Sequence, residues 1–127
     1  MHKGSCLCGA VTFEIAGELK APDACHCGQC RKQSGHYWAS TNVPRASLAL
    51  KGGDNLTWYR SSAEVRRGFC RLCGSFLFWD PVERDFIAIA MGAFEAPTAT
   101  RLGHHIFVAD KGDYYDITDG LPQKPGY

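Results

Sequence analysis

Positions 25 to 30 read Cys25-His26-Cys27-Gly28-Gln29-Cys30, which places three thiols within six residues. Unpaired cysteines oxidise and cross-link, so a cluster of this kind is normally held by a metal, by disulfides or by catalytic use. Thiolates select zinc or an iron–sulfur cluster, and zinc takes four ligands in a tetrahedron. We therefore interpret this stretch, called the triplet below, as a metal site with three protein ligands.

The fourth ligand of the triplet is left undetermined by the sequence. His26, His36 or another local group could complete a closed structural site, or the position could stay open to water or a substrate thiol. Three protein ligands and one exchangeable position are the usual form of catalytic zinc. We therefore favour an open, reactive site on Cys25, Cys27 and Cys30, with a closed second site or three metal-free thiols as the alternatives.

Four further cysteines form two pairs, Cys6 with Cys8 and Cys70 with Cys73. Two tetrahedral sites would need eight cysteines, and the chain has seven. The partition that keeps every local group intact joins the two pairs in one closed site and leaves the triplet one ligand short. In an extended chain Cys6 and Cys8 would also project to the same face. We predict a structural zinc that ties the amino-terminal strand to the middle of the chain.

The composition limits the classes of partner. Lys and Arg number 14 against 13 Asp and Glu, a net charge of +1 that predicts no binding to nucleic acid or an anionic membrane. No apolar run approaches a membrane span, and residues 1–6 lack the apolar core of a signal peptide. We therefore expect a cytoplasmic protein. Reducing conditions there and an odd number of cysteines argue against a disulfide framework and for bound or reactive thiols. A length of 127 residues suits one domain, 1–127, whose oligomeric state the sequence does not indicate.

Short alternating segments predict a mainly β fold. Val11, Phe13 and Ile15 alternate with polar residues, which predicts a half-buried strand over 10–15. Gly52 to Asn55 are turn formers and predict a hairpin between strands 46–51 and 56–60. One helical turn, stopped by Gly35, is expected after Cys30, and the tail 114–127 is expected to be irregular. Further strands are predicted at 36–42, 64–69, 75–79, 86–91 and 105–109.

Other candidate site residues give weaker signals. Histidines that could act as acid, base or ligand are His36, His104 and His105. Basic side chains that could receive the carboxylates of an anionic thiol such as glutathione are Arg31, Lys32, Arg66 and Arg67, among which Arg31 is favoured because it follows Cys30. Aromatic side chains expected in the core, with one or two walling a cleft above the triplet, are Trp38, Trp58, Phe69, Phe76, Phe78 and Trp79.

The cysteine motifs resemble those of a known family. Gly4-Ser5-Cys6-x-Cys8-Gly9-x-Val11, then Cys25-His26-Cys27-x-x-Cys30, then Phe69-Cys70-x-x-Cys73-Gly74-Ser75 are similar to the glutathione-dependent formaldehyde-activating enzyme family, which includes the centromere protein V group. The resemblance spans nearly the whole chain. It extends to His105-Ile106-Phe107-Val108 and Asp119-Gly120-Leu121-Pro122.

The resemblance implies a single-domain β-tent fold of the Mss4-like type that zinc stabilises. It implies two zinc ions per chain, a structural one on Cys6, Cys8, Cys70 and Cys73 and a more labile one on Cys25, Cys27 and Cys30. The expected activity is that of a carbon–sulfur lyase that acts on a thiol and aldehyde adduct such as S-hydroxymethylglutathione, with a small thiol as the partner.

Two other function classes fit the same residues. A non-catalytic binding module stapled by zinc, or a protein that binds thiols without turnover, would use the same cysteines. An iron–sulfur protein would also use thiolate ligands, and its visible absorption would reveal it.

Overall fold

Strands dominate the fold in a computed structural model that describes residues 1–127. The ten strands are β1 His2–Ser5, β2 Thr12–Ile15, β3 Asp23–Cys25, β4 Trp38–Pro44, β5 Leu48–Lys51, β6 Leu56–Arg60, β7 Val65–Cys70, β8 Phe76–Pro81, β9 Phe86–Ala90 and β10 His104–Ile106. The one α-helix is α1 Gly28–Ser34, and short 3₁₀ turns occupy Arg45–Ser47, Gly53–Asn55, Met91–Ala93 and Val108–Asp110. The prediction of a mainly β fold is confirmed.

The strands form two sheets. A three-stranded sheet has the order β1-β2-β5, and a seven-stranded sheet has the order β10-β3-β4-β9-β8-β7-β6. Every pairing is antiparallel except that of β10 with β3, which is parallel. This two-sheet arrangement is the β-tent that the family resemblance implies.

The main core lies between the two sheets. Val11, Phe13 and Ile15 are buried, as their alternation predicts, and they belong to one apolar cluster with Phe78 of β8 and Ile89 of β9. Phe13 and Phe78 meet edge to face with ring centroids 5.9 Å apart. A second, smaller cluster contains two cysteines of the triplet and is formed by Cys25, Cys30, Trp38, Ala88, Ala90 and Ile106. The triplet therefore lies on the large sheet, apart from the main core.

The predicted hairpin of 46–51 with 56–60 is wrong. β5 pairs with β2 in the small sheet, whereas β6 pairs with β7 in the large one. The turn itself is present, because Gly52 has φ +75° and a Cβ there would lie 1.9 Å from the Ala10 carbonyl oxygen. Turn residues fix where the chain changes direction, but they do not determine which strand each flank pairs with. Here the turn carries the chain from one sheet to the other.

The first cysteine pair lies in a tight turn, and the predicted extended segment is wrong. The sequence reading missed β1, which pairs with β2 and leaves Cys6 and Cys8 in the connection between them. The Cys6 amide donates to the Val11 carbonyl at 3.0 Å, and the Gly9 amide donates to the Cys6 carbonyl at 3.2 Å. Residues two apart in a strand are separated by about 7 Å. The turn instead brings the two sulfurs to 3.7 Å.

Helix α1 is longer than the predicted single turn because a cysteine begins it. Cys27 is the N-cap, and its sulfur accepts a hydrogen bond from the Cys30 amide at 3.4 Å. Cysteine is not among the usual N-cap residues, so no residue before α1 signals the start of a helix. The predicted stop is confirmed, since Gly35 has φ +87° and donates to the Arg31 carbonyl. With seven residues in this helix, the structure contains no helix able to span a membrane.

The tail from 114 to 127 has no helix or strand, as predicted, but backbone hydrogen bonds fix it along the edge of β10. The His105 amide donates to the Pro122 carbonyl at 2.9 Å, and the Lys124 amide donates back to the His105 carbonyl at 2.9 Å. The Phe107 amide donates to Gly126, also at 2.9 Å. The tail therefore covers a sheet edge that would otherwise expose unpaired backbone groups.

Replacement of Gly4 tests the packing of β1. A Cβ at Gly4 would lie 2.3 Å from the ring of Phe13 and 2.6 Å from the Ala93 carbonyl oxygen. Because the backbone oxygen cannot easily move, we expect Gly4→Ala to lower the free energy of unfolding by about 1–3 kcal/mol in urea denaturation. The control is Gly92→Ala, where a Cβ meets nothing within 4 Å, and it should change stability by about 0.5 kcal/mol or less. Equal losses in the two variants would contradict this packing.

Candidate functional site

The two cysteine pairs meet in one cluster, formed by the turn after β1 and the turn after β7. The sulfurs of Cys6, Cys8, Cys70 and Cys73 all lie within 4.8 Å of one another. Cys8 is 3.7 Å from Cys6 and 3.8 Å from Cys70, far beyond a disulfide bond of about 2.05 Å. A tetrahedron with zinc–sulfur bonds of about 2.3 Å has edges of about 3.8 Å. The spacing of these sulfurs therefore fits a tetrahedral zinc ion.

Nearby donors favour the thiolate form of Cys6 and Cys73 in this cluster. The Val11 amide points at the Cys6 sulfur at 3.3 Å, and the Ser75 hydroxyl lies 3.3 Å from the Cys73 sulfur. The hydrogen bonds from the Ser75 side chain and backbone lower the pKa of Cys73 to about 5. Since the thiolate is the form that ligates metals, the donor set as well as the spacing fits a metal ion.

The triplet is the second cluster, and the end of β3 and the start of α1 assemble it. Cys25 ends β3, Cys27 caps α1 and Cys30 lies in its first turn, with all three sulfurs within 4.8 Å of one another. Hydrogen bonds from Cys25 and Cys30 lower the pKa of Cys27 to about 2, while the pKa of Cys25 is raised. Sulfurs this close cannot all carry a negative charge without a nearby cation. The triplet thus also has the donor set and spacing of a metal site.

Neither histidine that could have closed the triplet lies at it. His26 is fully buried and turns its ring away, with its Nε2 2.9 Å from His105 Nδ1 and its Nδ1 against the Tyr115 hydroxyl. His36 Nδ1 contacts the Tyr114 hydroxyl. The cluster of potential metal ligands at this position contains the three cysteines alone. The described residues therefore supply three ligands to the triplet.

A cavity of about 640 Å³ opens beside the triplet, and all three of its cysteines line it. This volume is within the range of about 300–1,000 Å³ that is typical of small-molecule sites. Of the six aromatic residues predicted for the core or the cleft, Trp38 and Trp79 line the cavity, and Phe78 is fully buried in the main core. Besides the cysteines, the apolar part of the wall is made by Trp38, Val65, Trp79, Phe86, Ala88, Ile106, Phe107 and Tyr127.

A buried arginine supplies positive charge to this cavity. Arg67 of β7 is 3% exposed, and its Nη1 lies 3.6 Å from the Cys30 sulfur. Its other groups donate to neutral oxygens, Nη2 to Gln29 at 3.1 Å and Nε to Ser61 at 3.3 Å. None of the ion pairs in the structure includes Arg67. Its charge is therefore balanced by no carboxylate and faces the cysteines, where it also helps to lower the pKa of Cys27.

The structure does not place Arg31, the favoured anion-binding residue, in the wall of the cavity, so that preference stays an untested prediction. A helix turns by about 100° per residue, so a residue next to Cys30 in sequence points in another direction. Lys32 does not line the cavity either, and Arg66 faces the opposite side of β7, where it pairs with Asp80 at 2.7 Å. Alternation along a strand separates Arg66 from Arg67, but only the strand pairing shows which of the two faces the triplet.

A smaller polar cavity of about 260 Å³ continues from the larger one, with Asp23, Ser40, Asn42, Ile106 and Tyr127 in both walls. It adds the side chain of His104 and the charged side chains of Lys20 and Lys124. His104 lies 4.0 Å from the Asp23 carboxylate, whose pKa is raised by burial. The sequence reading missed Asp23, although Asp23 and Cys25 share one face of β3 because they are two residues apart.

Comparison with solved structures shows the fold. A crystal structure of a Rhodobacter sphaeroides protein superposes with a TM-score of 0.64 at 23% sequence identity. The match covers 79% of this chain and 98% of that one. The two-sheet architecture is therefore shared with a protein of low sequence identity.

Comparison with related sequences and with a family model shows the family. An uncharacterised lyase of Schizosaccharomyces pombe is 26% identical over 123 residues, which cover 93% of this chain and 86% of the relative. A Halomonas elongata protein, named provisionally as a glutathione-dependent formaldehyde-activating enzyme, is 31% identical over 128 residues, which cover 91% of this chain and 80% of the relative. The family model described as glutathione-dependent formaldehyde-activating enzyme matches residues 1–110. This chain therefore belongs to the glutathione-dependent formaldehyde-activating enzyme family.

Proposed function

We propose that the protein is a zinc-dependent carbon–sulfur lyase that joins a small thiol to an aldehyde, or separates the two, at the triplet. One observation carries the proposal: three clustered sulfurs line a cavity of ligand size, and no side chain of the chain supplies a fourth ligand. Cys25, Cys27 and Cys30 would hold one zinc ion with a position left for the thiol. Cys6, Cys8, Cys70 and Cys73 would hold the second, structural ion.

The proposed reaction is the addition of a thiol to an aldehyde, which needs no third reactant. The sulfur of the thiol forms a bond to the carbonyl carbon, the carbonyl π bond breaks, and the proton lost by the thiol ends on the oxygen. A zinc ion at the triplet supplies positive charge that lowers the pKa of an incoming thiol. Apolar side chains form part of the cavity wall, and Arg67 would offset the negative charge that accumulates when a further thiolate enters.

Glutathione is the thiol that the polar groups of the two cavities favour. Glutathione carries two terminal carboxylates and an ammonium group. Each of the two cavities has at least one basic side chain that could bind a carboxylate. Arg67 lines the larger cavity, whereas Lys20 and Lys124 line the smaller one beside the Asp23 carboxylate. These charges support an anionic thiol of peptide size over a neutral one.

Thiol binding without turnover is the second candidate, because the same cavity would hold a thiol whether or not an aldehyde reacts.

Two expectations from the sequence stay predictions beside this proposal. One is that residues 1–127 act as a single domain, and the other is a cytoplasmic location, which seven free thiols favour.

The role of the triplet is tested with Cys27→Ser. We expect the wild-type protein to contain two zinc ions per chain and to turn over S-hydroxymethylglutathione. Cys27→Ser should keep one zinc ion and lose about 100-fold or more of the activity, since it removes a ligand at the reacting centre. Metal analysis and a formaldehyde-release assay measure the two quantities. Unchanged activity would reject the proposal, and a wild type that binds glutathione without turnover would establish the second candidate.

The role of Arg67 is tested by comparing Arg67→Gln with Arg31→Gln, which removes a charge next to Cys30 but outside the cavity wall. Loss of a charge-assisted interaction is worth about 1.5–3 kcal/mol, so Arg67→Gln should weaken glutathione binding by about 10-fold or more. Arg31→Gln should change it less than about twofold. Isothermal titration of the zinc-loaded proteins gives both constants. A larger effect at Arg31 would show that the cavity assignment is wrong.

A further inference from the structure

A chain of four polar side chains lies behind the triplet, on the side of β3 away from the cysteine sulfurs. The Asp119 carboxylate is 2.7 Å from His105 Nε2, and His105 Nδ1 is 2.9 Å from His26 Nε2. The other nitrogen of His26, Nδ1, contacts the Tyr115 hydroxyl. The exposed fractions of His26 and His105 are 0% and 3%, so both imidazoles depend on these partners. The network therefore connects the tail to the residue between Cys25 and Cys27.

The ring nitrogens of His26 and His105 all have hydrogen-bond partners. An ionised carboxylate only accepts, so His105 Nε2 donates to Asp119. His105 Nδ1 shares a hydrogen with His26 Nε2, and His26 Nδ1 is hydrogen-bonded to the Tyr115 hydroxyl. Every polar group of the two buried rings is satisfied.

The backbone of His26 is held as well as its ring. Its amide donates to the Ile106 carbonyl at 3.0 Å, directly after the parallel pairing of β3 with β10. The tail in turn pairs with the other edge of β10 through His105. Because Cys25 and Cys27 flank His26, its backbone angles set the distance between their sulfurs. Tyr115 and Asp119, which fix the ring, both lie beyond residue 110, where the match to the family model ends.

We infer that Tyr115 and Asp119 are positioning residues for the triplet, and that the tail sets the affinity of the triplet for its metal by holding His26. This inference rests on the proposed metal at Cys25, Cys27 and Cys30. Partners that orient the ligands of a metal commonly change its affinity by about 10- to 100-fold when they are removed. The tail thus does more than cover a sheet edge, because it keeps the cysteine ligands at their binding distances.

The inference is tested by the release of zinc to a chromogenic chelator from the full-length protein. We expect two phases from the wild type, and Cys27→Ser identifies the triplet's phase by removing it. Tyr115→Phe and Asp119→Ala should speed the triplet's phase by about 10-fold or more and leave the four-cysteine phase unchanged. Asp119→Asn, which keeps an acceptor for His105, should restore most of the wild-type rate. A cobalt titration that follows the thiolate charge-transfer band gives the matching affinities.

Tyr114→Phe is the matched control. It also removes a tyrosine hydroxyl, from the residue next to Tyr115, but that hydroxyl contacts His36 and not His26. Its two phases should equal those of the wild type. The inference is overturned if Tyr115→Phe behaves as Tyr114→Phe does, or if both zinc phases accelerate equally, since that result indicates a general loss of stability. A wild type that binds one zinc ion only would overturn both the proposed function and this inference, whereas two ions with unaltered release in the variants would overturn the inference alone.

Discussion

The convergence of seven thiols into two clusters is the constraint on which this structure depends. Sulfurs separated by 3.7 and 3.8 Å are too far apart for disulfides and too close to carry several negative charges without a cation. In the four-cysteine cluster, Cys8 and Cys70 are 62 positions apart in the chain. That cluster therefore joins the small sheet, through the turn after β1, to the large sheet, through the turn after β7. A cation there would fix the angle between the sheets and with it the main core.

The two clusters differ in what surrounds them. The four-cysteine cluster offers enough sulfurs for a tetrahedral site, and backbone and serine donors support these sulfurs. The triplet offers three sulfurs, with a cavity on one side and an ordered network behind it. Arg67 brings an unpaired positive charge to that cavity from a distant strand. These differences support the proposal that the four-cysteine cluster stabilises the fold and that the triplet accepts a ligand.

The sequence predicted what depends on local chemistry. The grouping of the cysteines, the inward face of Val11, Phe13 and Ile15, and the stop of α1 at Gly35 follow from spacing, alternation and backbone preference. The pairing of β5 and β6 and the choice of Arg67 over Arg31 do not, because each depends on contacts between segments far apart in the chain. The contacts of His26 could not be predicted either, because they also join distant segments of the chain. It lies next to two cysteines in sequence, yet its partners His105 and Tyr115 come from 79 and 89 positions further along.

The most direct test of the open fourth position at the triplet is X-ray absorption at the zinc edge, with and without glutathione. Two ions, one with four sulfur ligands and one with three, give an average of about 3.5 sulfurs per zinc. The account predicts that glutathione raises this average to about 4 as its thiolate replaces a lighter ligand. A spectrum that glutathione leaves unchanged, in protein that holds two zinc ions, would contradict it.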